Sequence, residues 1–244
     1  MKMYLEAFRI FSPGNMELDS ADLKTARDKY SLRRSDRFTS MAVSAVTKKL
    51  NDAFPEQLSP NTGLVTATAF GPHRTTFATL DDILDYPEDL ILPTRFSHSV
   101  HNAVASYVGT VLGIKGPVFA LAGFEDVWFE ALDLARNMML ADFCSKVLVI
   151  GIEEKALLTE SAPELWPERY KEIPQEAVCV LLLSSEKQDN NHGRIELERT
   201  PKTAEQLFSF GVYQEFLDAL AVSSAESSTT LHKMPDWEFP RTSE

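Results

Sequence analysis

Residues 116–135, GPVFALAGFEDVWFEALDLA, join a tight Gly-Pro start, a short strand and a helix with almost no polar face. The apolar run Val118–Ala122 has the length and punctuation of a strand. In the helix expected over 126–143, Val127, Trp128, Phe129, Ala131, Leu132, Leu134, Ala135, Met138, Met139 and Leu140 wrap nearly the whole circumference. Such a helix has no side to give to water and must be enclosed by protein. One layer of sheet covers one side of it, so later residues or a second subunit must cover the rest. Glu125 stands at the junction, where an enzyme of this shape places a nucleophile.

Outward from this stretch, strands and helices alternate. MYLEAFRIF at 3–11 suits a strand, with a Pro-Gly turn after it. Residues 35–54 carry Phe38, Ala42, Ala45, Val46, Leu50 and Phe54 at spacings of three and four, which predicts an amphipathic helix capped by Ser35 or Asp36. GLVTATAFG at 63–71 is a strand closed by glycine. TTFATLDDILDY predicts a short helix, PEDLILPTRFSHS a loop, and 99–112 a helix of small residues ending at Gly113. KVLVIGI is a continuous apolar run of the kind covered on both faces. A loop containing Trp166 leads to the strand AVCVLLLS, and RIELE follows. One more helix is expected over about 203–222, with SSAESSTT at 223–230 the most loop-like stretch. The alternation predicts an α/β sheet with helices on both faces.

The formal charge of −12 over 244 residues argues against nucleic acid and anionic membrane surfaces, both of which select clustered Lys and Arg. RRSDR at 33–37 is the only basic cluster, and Asp36 interrupts it. Two cysteines, Cys144 and Cys179, make no disulfide framework and are expected to be buried free thiols in a reducing cytoplasm. The first residues lack an apolar secretory core. Phe96–Ile114 has no Asp, Glu, Lys or Arg, yet its His, Asn, Ser and Thr make it too polar to span a membrane. It reads as a segment buried in protein.

No nucleophile elbow, phosphate loop, dinucleotide fingerprint, Cys-x-x-Cys or zincin motif occurs. His98 and His101 share an i, i+3 spacing, but no third ligand stands near, so no metal site is expected; hydrogen-bonded histidines at a buried interface are. The acidic residues at 125–126 and 153–154 admit acid–base work or, more ordinarily, a helix cap and a solvated strand end.

The run RFSHSVHNAVASYVGTVLGIKGPVFALAGFEDVWFEALDLARNMML, with KVLVIGIEE after it, resembles the N-terminal half of the β-ketoacyl synthases, whose fold is that of thiolase. RRSDRFTSMAVSAVTKKL resembles their first helix and GLVTATAFG the next strand. The resemblance covers about residues 1–200, anchored by the Asn of VHNA and the Gly-Pro turn. It implies an α/β N-terminal half of a thiolase-like fold: a five-stranded mixed sheet, helices on both faces and a buried central helix. Residues 201–244 would add a helix and tail to the same domain.

In that family a cysteine at the start of the buried helix carries the acyl chain, and two histidines from the C-terminal half assist. Counting from Gly116-Pro117 puts Glu125 at the cysteine's place, and neither His192 nor His232 matches a family histidine motif. A carboxylate is a poor substitute for a thiolate that must attack a thioester and leave again. The resemblance therefore implies no condensing activity by this chain and no cofactor. It points to the truncated chain-length factors of aryl polyene clusters in Gram-negative bacteria, whose full-length counterparts in type II polyketide pathways pair with an active ketosynthase as a heterodimer, and it implies the same kind of partner for this chain. Acyl carrier protein would dock mainly on that ketosynthase. Family dimers pair the strand before the nucleophile, here with Phe119 and Leu121. The segment before it, with His98, His101, Asn102, Ala105 and Gly109, would join the interface. Arg95 and Phe96 fall at the tunnel floor, with Phe70 and Leu80 as weaker candidates. Two rivals stand beside this expectation: a decarboxylase or hydrolase using Glu125, and a purely stabilising subunit.

Overall fold

A computed structural model describes residues 2–12, 16–32, 35–50, 54–87, 90–91, 93–123, 127–165, 176–187, 193–198 and 228–232. A mixed sheet organises them. Its strands are β1 (Met3–Phe11), β2 (Gly63–Thr68), β3 (Val118–Ala122), β4 (Lys146–Glu153), β5 (Ala177–Ser184), β6 (Gly193–Glu198) and β7 (Ser228–His232). The order across the sheet is β3-β2-β4-β5-β1-β6-β7. β2 runs parallel to both β3 and β4, while β5 is antiparallel to β4 and to β1.

The strands β2, β4 and β5 have no exposed residue along them, which follows from helices on both faces. On one face lies α6 (Val127–Leu140), seated on β2 and β4. On the other lie α2 (Arg37–Thr47) and α5 (Ala103–Leu112). Trp128, Phe129, Ala131, Leu132, Ala135, Met138 and Met139 are buried, as a central helix requires. Within this chain the enclosure is incomplete, since Leu140 and Phe143 at its far end are 52% and 66% exposed. Two glycines set how closely α6 approaches. A Cβ on Gly151 would stand 2.6 Å from the Trp128 ring, and one on Gly63 would meet the Met138 methyl at 2.5 Å.

Asp36 caps α2, accepting the Thr39 N–H at 2.9 Å, as its place before the apolar periodicity predicts. The helix ends at Thr47, short of residue 54; Phe54 rejoins the core beyond it, with the Arg9 guanidinium 4.4 Å over its ring. Arg9 is itself buried and donates to the Ala45 and Val46 carbonyls, two of the groups that a helix C-terminus leaves unsatisfied. Cys144 and Cys179 are free and buried.

The structure corrects the expected strand number from five to seven. β1 has two edges; β5 takes one and β6 the other, and β7 then adds in parallel to β6. The stretch 223–230 that composition marks as loop supplies the first residues of β7, where Thr favours extended backbone. The expected loop 87–99 contains the helical turn α4 (Pro93–His98), opened by a proline at its first position. Two helices had no strong pattern. They are α1 (Ser20–Lys29), held by a capping box from Asp19 and Asp22, and α7 (Leu157–Leu165). TTFATLDDILDY forms most of α3 (His73–Asp85). The helix expected at 203–222 lies outside the described residues. Among those residues no helix is long and apolar enough to cross a membrane.

Gly151→Ala should destabilise the fold by about 1–3 kcal/mol, the usual cost of overpacking a close contact. A lowered urea midpoint with an unchanged slope is the expected result.

Candidate functional site

The three parallel strands β3, β2 and β4 end together, the place where α/β sheets of this kind meet ligands. β3 forms one edge of the sheet. Its outer side chains are not covered: Val118 is 42% and Phe119 44% exposed, with Leu121 half-buried. An edge of this kind offers unpaired backbone groups beside apolar side chains. β3 stops at Ala122 and α6 starts at Val127. Glu125 belongs to the connection between them and lies outside the described residues.

At the end of β4 is a half-buried carboxylate held by several donors. Glu153 accepts the backbone N–H of Ala69, the N–H of Phe70 at 3.3 Å, and the Thr68 hydroxyl, 3.2 Å from both of its oxygens. Thr68 Oγ1 in turn accepts the Gly71 N–H at 2.8 Å. Burial outweighs these donors and pushes the Glu153 carboxyl up to about 7. Glu154, 1% exposed, points to the opposite face and accepts the Arg74 N–H at 3.0 Å. Burial raises it to about 7 as well, with the Asp36 charge adding to the effect. The solvated strand end that 153–154 suggests is thus a pair of enclosed carboxyls. The signal was present in the sequence: two acids terminate a run, KVLVIGI, that is otherwise fit only for the interior.

Next along the chain, α3 packs on α4 and α4 on α5, which in turn packs on β3. Leu80 on α3 and Phe96 on α4 are 47% and 59% exposed, as is apolar surface at Ile83, Leu84, Leu90 and Val100 around them. Arg95 is ion-paired with Asp82 of α3, which ties α4 to its neighbour. Phe70 is half-buried, its ring edge-on to His73 with centroids 6.1 Å apart. His98 is buried, 5.3 Å from the Tyr107 ring, with Tyr107 Oη 3.4 Å from its Nε2. His101 is exposed, but its imidazole covers Gly71; a Cβ there would lie 2.4 Å from the ring, and Gly71 has φ +66°. That pairing accounts for a glycine at 71 twice over, by conformation and by space.

The structure divides the expected interface residues. Phe96, Phe119 and Leu80 are on the surface, and Asn102 is exposed at the head of α5 without a side-chain cap. Ala105 and Gly109 instead point into this chain's own core; a Cβ on Gly109 would sit 3.8 Å from Leu64 of β2. Their small size lets α5 approach the sheet, and Ser106 and Thr110 face outward. His98 and His101 diverge, one inward and one onto Gly71. Among the described residues no group of three or more potential metal ligands assembles.

A family model described as β-ketoacyl synthase, N-terminal domain, matches residues 31–239. No curated protein matches the chain at a significant level. Among solved structures, the chain is similar to the ishigamide ketosynthase/chain length factor, with a TM-score of 0.58 and 17% identity over 78% of this chain. It spans 64% of that protein's length. It is also similar to the structure of a ketosynthase in complex with its chain length factor from Xenorhabdus doucetiae, with a TM-score of 0.57 and 16% identity. That match covers 76% of this chain and 80% of the other. A third is a type II PKS acyl-carrier protein in complex with its ketosynthase bound to the hexaketide. There the TM-score is 0.55 at 13% identity, over 75% of this chain and 58% of that one. At such identities the likeness is one of fold.

Both Glu153 and Glu154 have folded pKa values raised from 4.5 to about 7, so the folded state holds protons that the unfolded chain has released. Their contribution is fully present below pH 4.5 and is lost as pH rises through 7. Urea midpoints should therefore fall between these pH values, and the double change Glu153→Gln, Glu154→Gln should flatten that limb of the profile.

Proposed function

Because this chain belongs to the β-ketoacyl synthase family through its N-terminal domain, we propose that it is a non-condensing subunit that pairs with an active ketosynthase. In this reading it resembles a chain-length factor of aryl polyene biosynthesis. The observation that carries it is the combination on β3. The strand leading to the nucleophile position is an uncovered apolar edge, and the position itself holds glutamate. An edge with Val118 and Phe119 in water is a liability for a lone chain and a template for a second strand.

The subunit completes the dimer, and its α4 reaches toward the partner's acyl tunnel with Phe96 and Arg95. Leu80 and Phe70 stand behind them. Carrier protein docks on the ketosynthase, since an acidic carrier and a chain of charge −12 repel. Work at a thiolase-type site depends on a thiolate at the helix start, and Glu125 cannot replace it. A carboxylate two residues ahead of α6 in sequence also has a plain rationale, since a helix N-terminus carries partial positive charge. The family's setting is bacterial cytoplasm, where this subunit and its partner would act.

The test is co-expression with an active ketosynthase from the same source, followed by light scattering. A one-to-one complex, with this chain self-associating when alone, is the expected result; a monomer indifferent to the ketosynthase would overturn the proposal. Phe119→Asp should weaken pairing by about 30-fold or more, as for a central interface side chain. Phe96→Ala should leave pairing intact and shift the length of the product. An unchanged product distribution would favour the stabilising-subunit reading, and malonyl thioester turnover by the isolated chain the Glu125 enzyme. Carrier protein added to this chain alone should not bind tightly.

A further inference from the structure

We infer that the cavity where the starts of α2, α3 and α4 meet is a binding site for a phosphate group. It is an open depression of about 360 Å3, lined by Asp36, Arg74, Thr75, Thr94, Arg95 and His98, with Ala78 as an aliphatic wall. Every lining residue belongs to this chain, and Arg95 is shared with the partner-facing α4 proposed above.

The balance of hydrogen-bonding groups identifies the ligand class. The one carboxylate in the lining is already engaged. Asp36 accepts the Thr39 N–H at 2.9 Å with one oxygen and lies 3.4 Å from the Thr75 hydroxyl with the other. The cations are less fully used. Arg74 donates from Nη2 to the Lys155 carbonyl at 3.0 Å, and among the described residues no carboxylate comes within ion-pair distance of its guanidinium. Arg95 gives Nη1 to Asp82 and keeps its remaining donors, with 40% of its side chain exposed. A guanidinium carries five donors, so both have N–H groups to offer.

His98 supplies the third direction. It is 6% exposed, and its Nδ1 is buried without a partner. The Tyr107 Oη–Nε2 contact at 3.4 Å fits either direction; in the tautomer where the hydroxyl donates, Nδ1 carries the ring proton and is a buried N–H in need of an acceptor. Two guanidiniums on separate helices and an imidazole N–H suit a tetrahedral oxyanion, which accepts from several directions, better than a planar carboxylate. A water takes about 30 Å3 in the liquid, so the cavity has room for a phosphate and either its ester chain or bound waters. Asp82 and Glu154 stand close to the two arginines and lower the local positive charge, which keeps the affinity modest.

The full chain, in complex with its ketosynthase where the two copurify, is titrated with inorganic phosphate or propyl phosphate. Sodium chloride holds the ionic strength constant. The expected result is a saturable rise in the unfolding midpoint that chloride alone does not produce, with the His98 Nδ1 resonance moving along the same curve. Arg74→Gln, at an exposed position, should weaken binding by about tenfold, the loss of one charge-assisted contact. The tighter of the two probes tells whether the natural ligand is free phosphate or a phosphate ester. If neither probe outperforms chloride, or Arg74→Gln binds both as the natural sequence does, the inference is wrong.

Discussion

Trp128 lies on the bare backbone of Gly151, and this contact fixes where the rest of the molecule can go. The indole fills the space that a side chain at this position of β4 would occupy, so α6 comes down onto β4 and β2 at one place only. Gly63 and Met138 repeat the arrangement at the far end of the same helix. Two such contacts set both the position and the tilt of α6. The N-terminus of the helix therefore arrives over the ends of β2 and β4.

That geometry was readable in outline. The circumferential apolar pattern of 127–140 foretells a helix between layers, and the Gly-Pro turn foretells the strand before it. β2, β4 and β5 announce themselves as continuous apolar runs. The extent of the sheet was less readable. β6 and β7 rest on the free edge of β1, and nothing in a Ser/Thr-rich stretch distinguishes an edge strand from a loop until its partner is known. α4 was hidden for a related reason: a six-residue helix has too few turns to show a period.

At the candidate site the difficulty was direction. Ala105 and Gly109 are small, and smallness serves a close approach to a partner and a close approach to the chain's own sheet equally well. Composition cannot say which, whereas the packing of α5 on β2 can. Glu153 and Glu154 present the same problem in another form. Consecutive residues of an extended chain point to opposite sides, and each side here supplies cover: Glu154 is buried and Glu153 half-buried. The donors that receive Glu153 come from Ala69 and Phe70, more than eighty residues earlier, and backbone N–H groups leave no trace in a sequence.

The position of β1 has a kinetic meaning. The first strand in the chain pairs with β5 and β6, so its neighbours are separated from it by about 170 to 190 residues of chain. β2, β3 and β4 with α5 and α6, by contrast, are assembled from a single stretch, 63–153, and can close on one another early. During synthesis β1 has no place to go until β5 has emerged, and until then β4 presents a bare edge of its own. Folding is thus split into a fast unit and a late closing step whose loop entropy is large. For that interval the long apolar strand β4 is itself an open edge beside β3, which makes timely β1–β5 pairing the step most exposed to aggregation.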